Sequence, residues 1–481
     1  MIIGYNILPM KCRNIYLLLG SLFFYAFGEP KYIFLMLASI IGNYAFGIYI
    51  HKMAKIQYSC ENDEVKIKSA VSKKKTALII TVLYNLGLLF YFKYFTLIVQ
   101  TIHDTVNQNI SVPEIALPIG ISFFTFQGMS YVIDVYKDDE KPDENGVARS
   151  LVQTNFINLA LYISMFPQLI AGPIVRYTDI KDYLDKRNVD SEKFVRGIER
   201  FIIGLSKKAI FANTIGEVAD SIFTSNVDYL GVKVAWVGAI FYTLQIYFDF
   251  SGYSDMAIGL GRMFGFEFME NFNYPYISKS ITEFWRRWHI SLSSWFRDYL
   301  YIPLGGNRRG NVYFNLLMVF LATGIWHGAA WGFLIWGLWH GLFMLIERFF
   351  RKRSLPFKVP AFIKWIYTML IVVLGWVLFK LEDAMLALSY IGQMFNIRNT
   401  NYTAFSVRFY LDNKTIFVLI CAVLACIPWK ELFDNSVIYK KITNNELALL
   451  VVKRTALIFL LLLSFIFIIN STYNPFIYFR F

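Results

Sequence analysis

Apolar residues in this chain come in long uninterrupted blocks, and that pattern limits the possible folds more than any other feature. The blocks fall at 14–28, 31–50, 76–98, 115–136, 151–172, 232–250, 312–326, 331–347, 362–381, 414–428 and 455–470. A helix needs about 20 largely apolar residues to cross the hydrocarbon core of a bilayer. Lipid cannot satisfy backbone polar groups, so the segments that cross it must be helices or closed barrels. These blocks lack the alternation of a barrel strand. The expected fold is an all-α polytopic membrane protein with about 10–12 transmembrane helices. Composition agrees. Charged residues are only 17% and hydrophobic ones 56%, whereas soluble domains carry about 25% charged residues.

The net charge of +13 could point to nucleic acid, but its distribution points to membrane lipid. Basic residues gather between the apolar blocks. Residues 51–75 hold Lys52, Lys55, Lys66, Lys68, Lys73, Lys74 and Lys75. Residues 348–364 hold Arg348, Arg351, Lys352, Arg353, Lys358 and Lys364 without an acid. Residues 429–454 hold Lys430, Lys440, Lys441, Lys453 and Arg454. Such loops face the cytoplasm and its anionic lipid. Residues 99–114, without Lys or Arg, and the Lys-poor 382–413 are expected outside. No basic, aromatic-interleaved soluble segment exists to bind nucleic acid. Apolar sequence near the start runs on into further spans, so the N-terminus is expected to be retained.

Several stretches depart from a plain span. Residues 115–136 carry Pro118, Gly120 and many hydroxyl and amide side chains. They are expected to form a broken or re-entrant helix lining a polar cavity. The acidic stretch 137–150 reads as a solvated loop. Residues 194–224 read as amphipathic and partly embedded, with Arg196, Arg200, Lys207 and Lys208 snorkelling. Trp285, Trp288, Leu292, Trp295 and Tyr299 recur at spacings of three and four, one face of a helix. Arg286, Arg287, Ser291, Ser294 and Asp298 lie opposite. That predicts an interfacial helix with a tryptophan belt, or a helix in a polar vestibule. Asp249 and Asp255 are expected to pair with its arginines.

The chemistry concentrates in 253–341. Three of the five histidines, His289, His327 and His340, fall there. An ionisable group within a membrane is costly, so function is the default reading for His327, between the 312–326 and 331–347 blocks. Gly324, Gly328, Gly332 and Gly337 flank it, leaving room for close backbone approach or a ligand. Imidazole titrates near neutrality, so His327 can take a proton from a hydroxyl. His289 reads equally as a site residue or as part of a bilayer anchor. His340 reads as packing or interfacial, and His51 and His103 as loop residues without a role. No HExxH or paired-histidine spacing, GxSxG elbow or P-loop is present, so no metal, serine hydrolysis or nucleotide hydrolysis is expected. Cys12, Cys60, Cys421 and Cys426 form no CxxC pair and read as small core residues. Two classes remain open: a transmembrane transferase with a histidine base, and a transporter whose buried histidines relay protons. No internal repeat of the transporter kind is visible, which favours the transferase.

Longer motifs carry a resemblance. They are PIGISFFTFQGMSYVIDVY (118–136), FPQLIAGPIVRY (166–177), YFDFSGYSDMAIGLGRMFGF (247–266), NFNYPYISKSITEFWRRWHISLSSWFRDYLYIPLGGNRRG (271–310), TGIWHGAAWGFLIWGLWHG (323–341) and NPFIYFRF (474–481). Together they resemble the membrane-bound O-acyltransferase (MBOAT) family, in its alginate O-acetyltransferase (AlgI-like) branch. The resemblance implies one membrane domain over 1–481, with core motifs in 115–350, C-terminal helices in 362–470 and a central tunnel. It implies a catalytic role for His327 and a supporting one for His289. No bound cofactor is implied. Acetyl-CoA is the implied acyl donor, and hydroxyls of an extracytoplasmic polysaccharide are the acceptors. An extracytoplasmic SGNH-type acetylesterase or transferase is the implied partner. The family's D-alanyl transferases for teichoic acid supply the alternative.

Overall fold

The computed structural model describes residues 1–59, 63–106, 111–113, 115–138, 150–353, 359–397, 405–433, 446–471, 473 and 477. These residues form helices and connections, with no strand among them. The fold is that of an all-α polytopic membrane protein. Ile33–Ser59, Glu64–Lys93, Trp331–Arg351, Ala361–Lys380 and Glu446–Asn470 are five stretches long and apolar enough to cross a bilayer. Val312–His327, Ala384–Phe395 and Asn413–Ala425 are shorter apolar helices. The outward faces fit lipid. On Glu446–Asn470 only Leu457 and Ser464 are buried, while Val452, Ile458, Phe459 and Leu462 are exposed. A soluble protein does not display a contiguous apolar face of that kind.

The chain divides into two compact units. One comprises Met1–Val195 with Leu260–Met269, the other Arg196–Gly259 with Glu270–Phe481. In the first, Ile33–Ser59, Glu64–Lys93 and Ile121–Lys137 pack together around buried polar groups. Asn43 and Asn85 exchange amide hydrogen bonds at 3.2 and 2.9 Å, which spares both amides the cost of lying unpaired in an apolar setting. The second unit holds the histidine-bearing stretch and the C-terminal helices.

Several expectations change. The described residues of the basic stretch 51–75 lie almost entirely in the helices Ile33–Ser59 and Glu64–Lys93, and Asp63 caps the second through the Lys66 N–H. Lysine and alanine favour helix, so the charge marks helix ends and not a loop. His51 and His103 lie in the helices Ile33–Ser59 and Phe95–Val106, and His51 Nδ1 is 3.1 Å from Ser150 Oγ. Residues 121–137 are one unbroken helix. The break falls just before it, at left-handed Gly120, and Ser122, Thr125, Gln127 and Ser130 are buried on it. The 151–172 block is split at Met165 into two short helices.

Arg200, Lys207 and Lys208 do not snorkel. Lys208 pairs with Asp249 at 2.6 Å, and Lys207 and Arg200 pair with Asp255 at 2.7 and 2.6 Å. The buried carboxylates therefore meet the 191–223 helices and not Arg286 or Arg287. A carboxylate in a low-dielectric interior needs a counter-charge, and these are the cations within reach. Lys453 and Arg454, expected in an inner loop, lie on Glu446–Asn470 and pair with Glu199. The loop core 139–149, Cys60, Lys358, Lys440, Lys441 and all of the NPFIYFRF tail except Ile477 lie outside the described residues.

Candidate active site

The stretch expected to be one interfacial helix is two short ones, Ile281–Arg287 and Ile290–Phe296, followed by a wide turn at Arg297–Tyr301. The break is at His289, whose φ of 43° is left-handed. No continuous right-handed helix passes through such a residue. Two backbone bonds hold the break against the preceding strand-like segment. Ile290 N–H donates to the Asn271 carbonyl at 2.9 Å, and Asn273 N–H donates to the Arg287 carbonyl at 2.9 Å. The tryptophans do not form a surface belt. Trp285, Trp288 and Trp295 are all buried, and Trp285 and Trp288 share an aromatic core around Phe284. Trp288 packs on Phe272, Phe284 and Trp376 at 5.0, 5.6 and 4.7 Å between ring centres. The helix start is tied down by Glu347, which accepts from the N–H groups of Ile281 and Thr282 at 2.5 and 3.0 Å. Such a carboxylate satisfies donors that a helix N-terminus leaves unpaired.

His289 is fully buried. Its Nδ1 lies 3.1 Å from Asn271 Oδ1, and Phe250 meets its ring edge-on at 4.6 Å. It lies in the connection between spans, and burial pushes its pKa down to about 3. The ring is therefore neutral at physiological pH.

His327 is the last residue of Val312–His327, and Gly328 leaves the helix in an extended conformation. It is buried among aromatic rings: Trp326 at 4.9 Å, Trp336 at 5.0 Å and Phe379 at 5.2 Å. The flanking glycines serve close backbone approach. A Cβ added at Gly324 meets the Phe333 carbonyl oxygen at 2.5 Å, and one at Gly337 meets the Phe320 carbonyl oxygen at 2.5 Å. Small residues of this kind let membrane helices cross closely.

The structure brings the three histidines onto one run of rings. Trp326 lies between His289, at 6.1 Å, and His327. Trp336 lies between His327 and His340, at 5.3 Å. His340 is fully buried against Phe284 and Trp285. A cavity of about 480 Å³ adjoins the site, lined by Trp285, Arg286, Ile290, Phe320 and Thr323 among others. Ile290 follows His289, and Thr323 is one helical turn before His327. Among the described residues no group of three or more His, Cys, Asp or Glu comes together to hold a metal. Sequence reasoning missed Asn271, Ser291 and Ser254. They form the polar contacts behind His289, and the only sign of them was an asparagine within an aromatic run.

Residues 110–388, well over half the chain and including both His289 and His327, match the model of the MBOAT, membrane-bound O-acyltransferase family. The chain belongs to the MBOAT family. It is similar to the probable alginate O-acetylase AlgI of Pseudomonas putida, 37% identical over 99% of this chain and 96% of that protein. It is 34% identical to the peptidoglycan O-acetyltransferase of Helicobacter pylori, over 100% of this chain and 94% of that protein. With the teichoic acid D-alanyltransferase of Bacillus subtilis it shares 30% identity over 53% of this chain and 65% of that protein. This MBOAT protein is an O-acyltransferase and a multi-pass membrane protein. The transporter reading gives way to the transferase.

Proposed function

We propose that this O-acyltransferase moves an acetyl group from a cytoplasmic thioester, acetyl-CoA, through the plasma membrane to hydroxyls of an extracytoplasmic polysaccharide. The observation that carries the reading is the pair of buried histidines about Trp326 inside the family-matched region, with His327 at a helix C-terminus. His327 acts as general base. It accepts the sugar hydroxyl's proton as the oxygen attacks the thioester carbonyl. The carbon–sulfur bond breaks, and the imidazolium returns the proton to the departing thiolate, leaving an ester and a free thiol. Proton transfer of this kind is worth about 10²–10⁴ in rate. His289 supports the reaction by positioning a substrate.

Acetyl is favoured over D-alanyl by coverage. Relatives named for O-acetyl transfer match this chain over 99% and 100% of its length, whereas the D-alanyl transferases match 53% and 54%. The acceptor is alginate, another exopolysaccharide or peptidoglycan, and an SGNH-type extracytoplasmic acetylesterase or transferase is the expected partner. The test is His327→Ala in cells. Ester content of the surface glycan is expected to vanish while the membrane protein level stays normal. Wild-type ester content would remove His327 from the mechanism. Purified protein with labelled acetyl-CoA tests the donor: no thioester turnover, even with the partner present, overturns the acetyl-CoA assignment.

A further inference from the structure

Four polar side chains meet at His289, its own ring among them. Asn271 Oδ1 lies 3.1 Å from His289 Nδ1, 3.2 Å from the Ser291 N–H and 2.9 Å from Ser291 Oγ. Asn271 Nδ2 donates to Ser254 Oγ at 3.1 Å. All four residues are buried, Asn271 and His289 completely. The orientation of an asparagine amide and the tautomer of a histidine are usually open choices. Here a backbone group closes both. The Ser291 N–H can only donate, so the atom facing it is the amide oxygen. His289 Nδ1 faces that same oxygen, and the Ser291 hydroxyl, 3.4 Å from Nδ1, already donates to Asn271 Oδ1, so in a neutral ring Nδ1 carries the proton. Nε2 is then the lone-pair nitrogen. It is buried and meets no hydrogen-bond partner among the described residues. The Asn271 carbonyl also accepts from the Ile290 N–H at 2.9 Å, beside the left-handed turn. One residue therefore fixes both the place of the ring and its proton.

We propose that Asn271 is a positioning residue for acyl transfer: it holds His289 in the Nδ1–H form and leaves a bare Nε2 to accept a hydrogen bond from a hydroxyl of the acceptor sugar other than the one that attacks. A buried polar atom without a partner is costly, and an incoming hydroxyl supplies the missing donor. This assignment rests on His289 belonging to the proposed site.

The experiment uses full-length protein in detergent with ¹⁵N-labelled histidine. The chain has five histidines, and the His289 signals are those lost in His289→Gln. At neutral pH they are expected to report a protonated Nδ1 and an unprotonated Nε2. Two variants separate the role from packing. Asn271→Asp keeps the acceptor oxygen, and the Ser254 hydroxyl can turn to donate to it. It is expected to keep the Nδ1–H form and to stay within about tenfold of wild-type turnover. Asn271→Leu removes the acceptor. It is expected to lose the tautomer preference and on the order of 10²-fold in kcat, with KM for the donor little changed. A residue that only packs gives the reverse order, because a buried carboxylate costs more than a leucine. A wild-type His289 protonated on Nε2, or Asn271→Leu as active as wild type, overturns the proposal. The tautomer is read without turnover, so its failure is distinct from failure of the acyl-transfer reading.

Discussion

Gly324→Ala tests whether the helix crossing beneath His327 sets the reaction geometry. The added Cβ falls 2.5 Å from the Phe333 carbonyl oxygen and 3.4 Å from Gly337 Cα. Both are backbone atoms, so no side chain can swing aside. Reaching ordinary contact requires the helices Val312–His327 and Trp331–Lys352 to part by roughly 0.5–1 Å. Overpacking of this sort typically costs about 1–3 kcal/mol. The larger effect is expected on the chemistry. His327 is three residues further along the same helix and packs on Trp336 of the other. A displacement near 1 Å can cost about 10²-fold in rate. On the role proposed for His327, acyl transfer is therefore expected to fall on the order of 10²-fold, in a protein that still folds but melts earlier in detergent. Gly392→Ala is the control. Nothing lies within 4 Å of a Cβ there, and alanine in a helix is expected to stabilise by roughly 0.5–1 kcal/mol. Wild-type turnover in Gly324→Ala would refute the reasoning, because the crossing would then be free to relax without moving His327.

Two further outcomes follow from the buried polar groups. Burial lowers the His289 pKa from its ordinary 6.5 to about 3, so between those values the unfolded chain binds a proton that the folded one refuses. Its contribution is complete above pH 6.5 and is lost as pH falls, by up to about 1.4 kcal/mol per pH unit. Thermal unfolding across that window is expected to show a shallower pH slope in His289→Gln, and an unchanged slope would count against a neutral buried ring. The Asp249–Lys208 pair, 2.6 Å apart with side chains 2% and 15% exposed, makes the second case. Asp249→Asn deprives Lys208 of its carboxylate and is expected to cost about 3–5 kcal/mol, whereas adding Lys208→Met recovers much of that loss. Equal melting temperatures for the single and double variants would show that the pair is not coupled.

The sequence by itself determined that this is a helical membrane protein, because block length and composition do not depend on what packs against what. It also singled out His327, since an imidazole between two apolar helices is costly wherever they lie. It could not find the break at His289. The three-and-four spacing of Trp285, Trp288, Leu292, Trp295 and Tyr299 runs straight through it, and periodicity does not register one left-handed residue. Nor could it assign partners to Asp249 and Asp255, because pairing depends on which cations lie near in space. The arginines close in sequence were the wrong choice, and Arg200, Lys207 and Lys208 were the right one. Charge near 51–75 marked the ends of spans, but only the structure showed that most of its described residues belong to the helices Ile33–Ser59 and Glu64–Lys93. The tertiary structure alone put His289 and His327 on either side of Trp326, and put Asn271, 18 residues before His289, where its amide oxygen meets the ring. Hydrophobic patterning is a local property that a linear reading can sum. A proton's position on an imidazole is set by one atom from elsewhere in the chain.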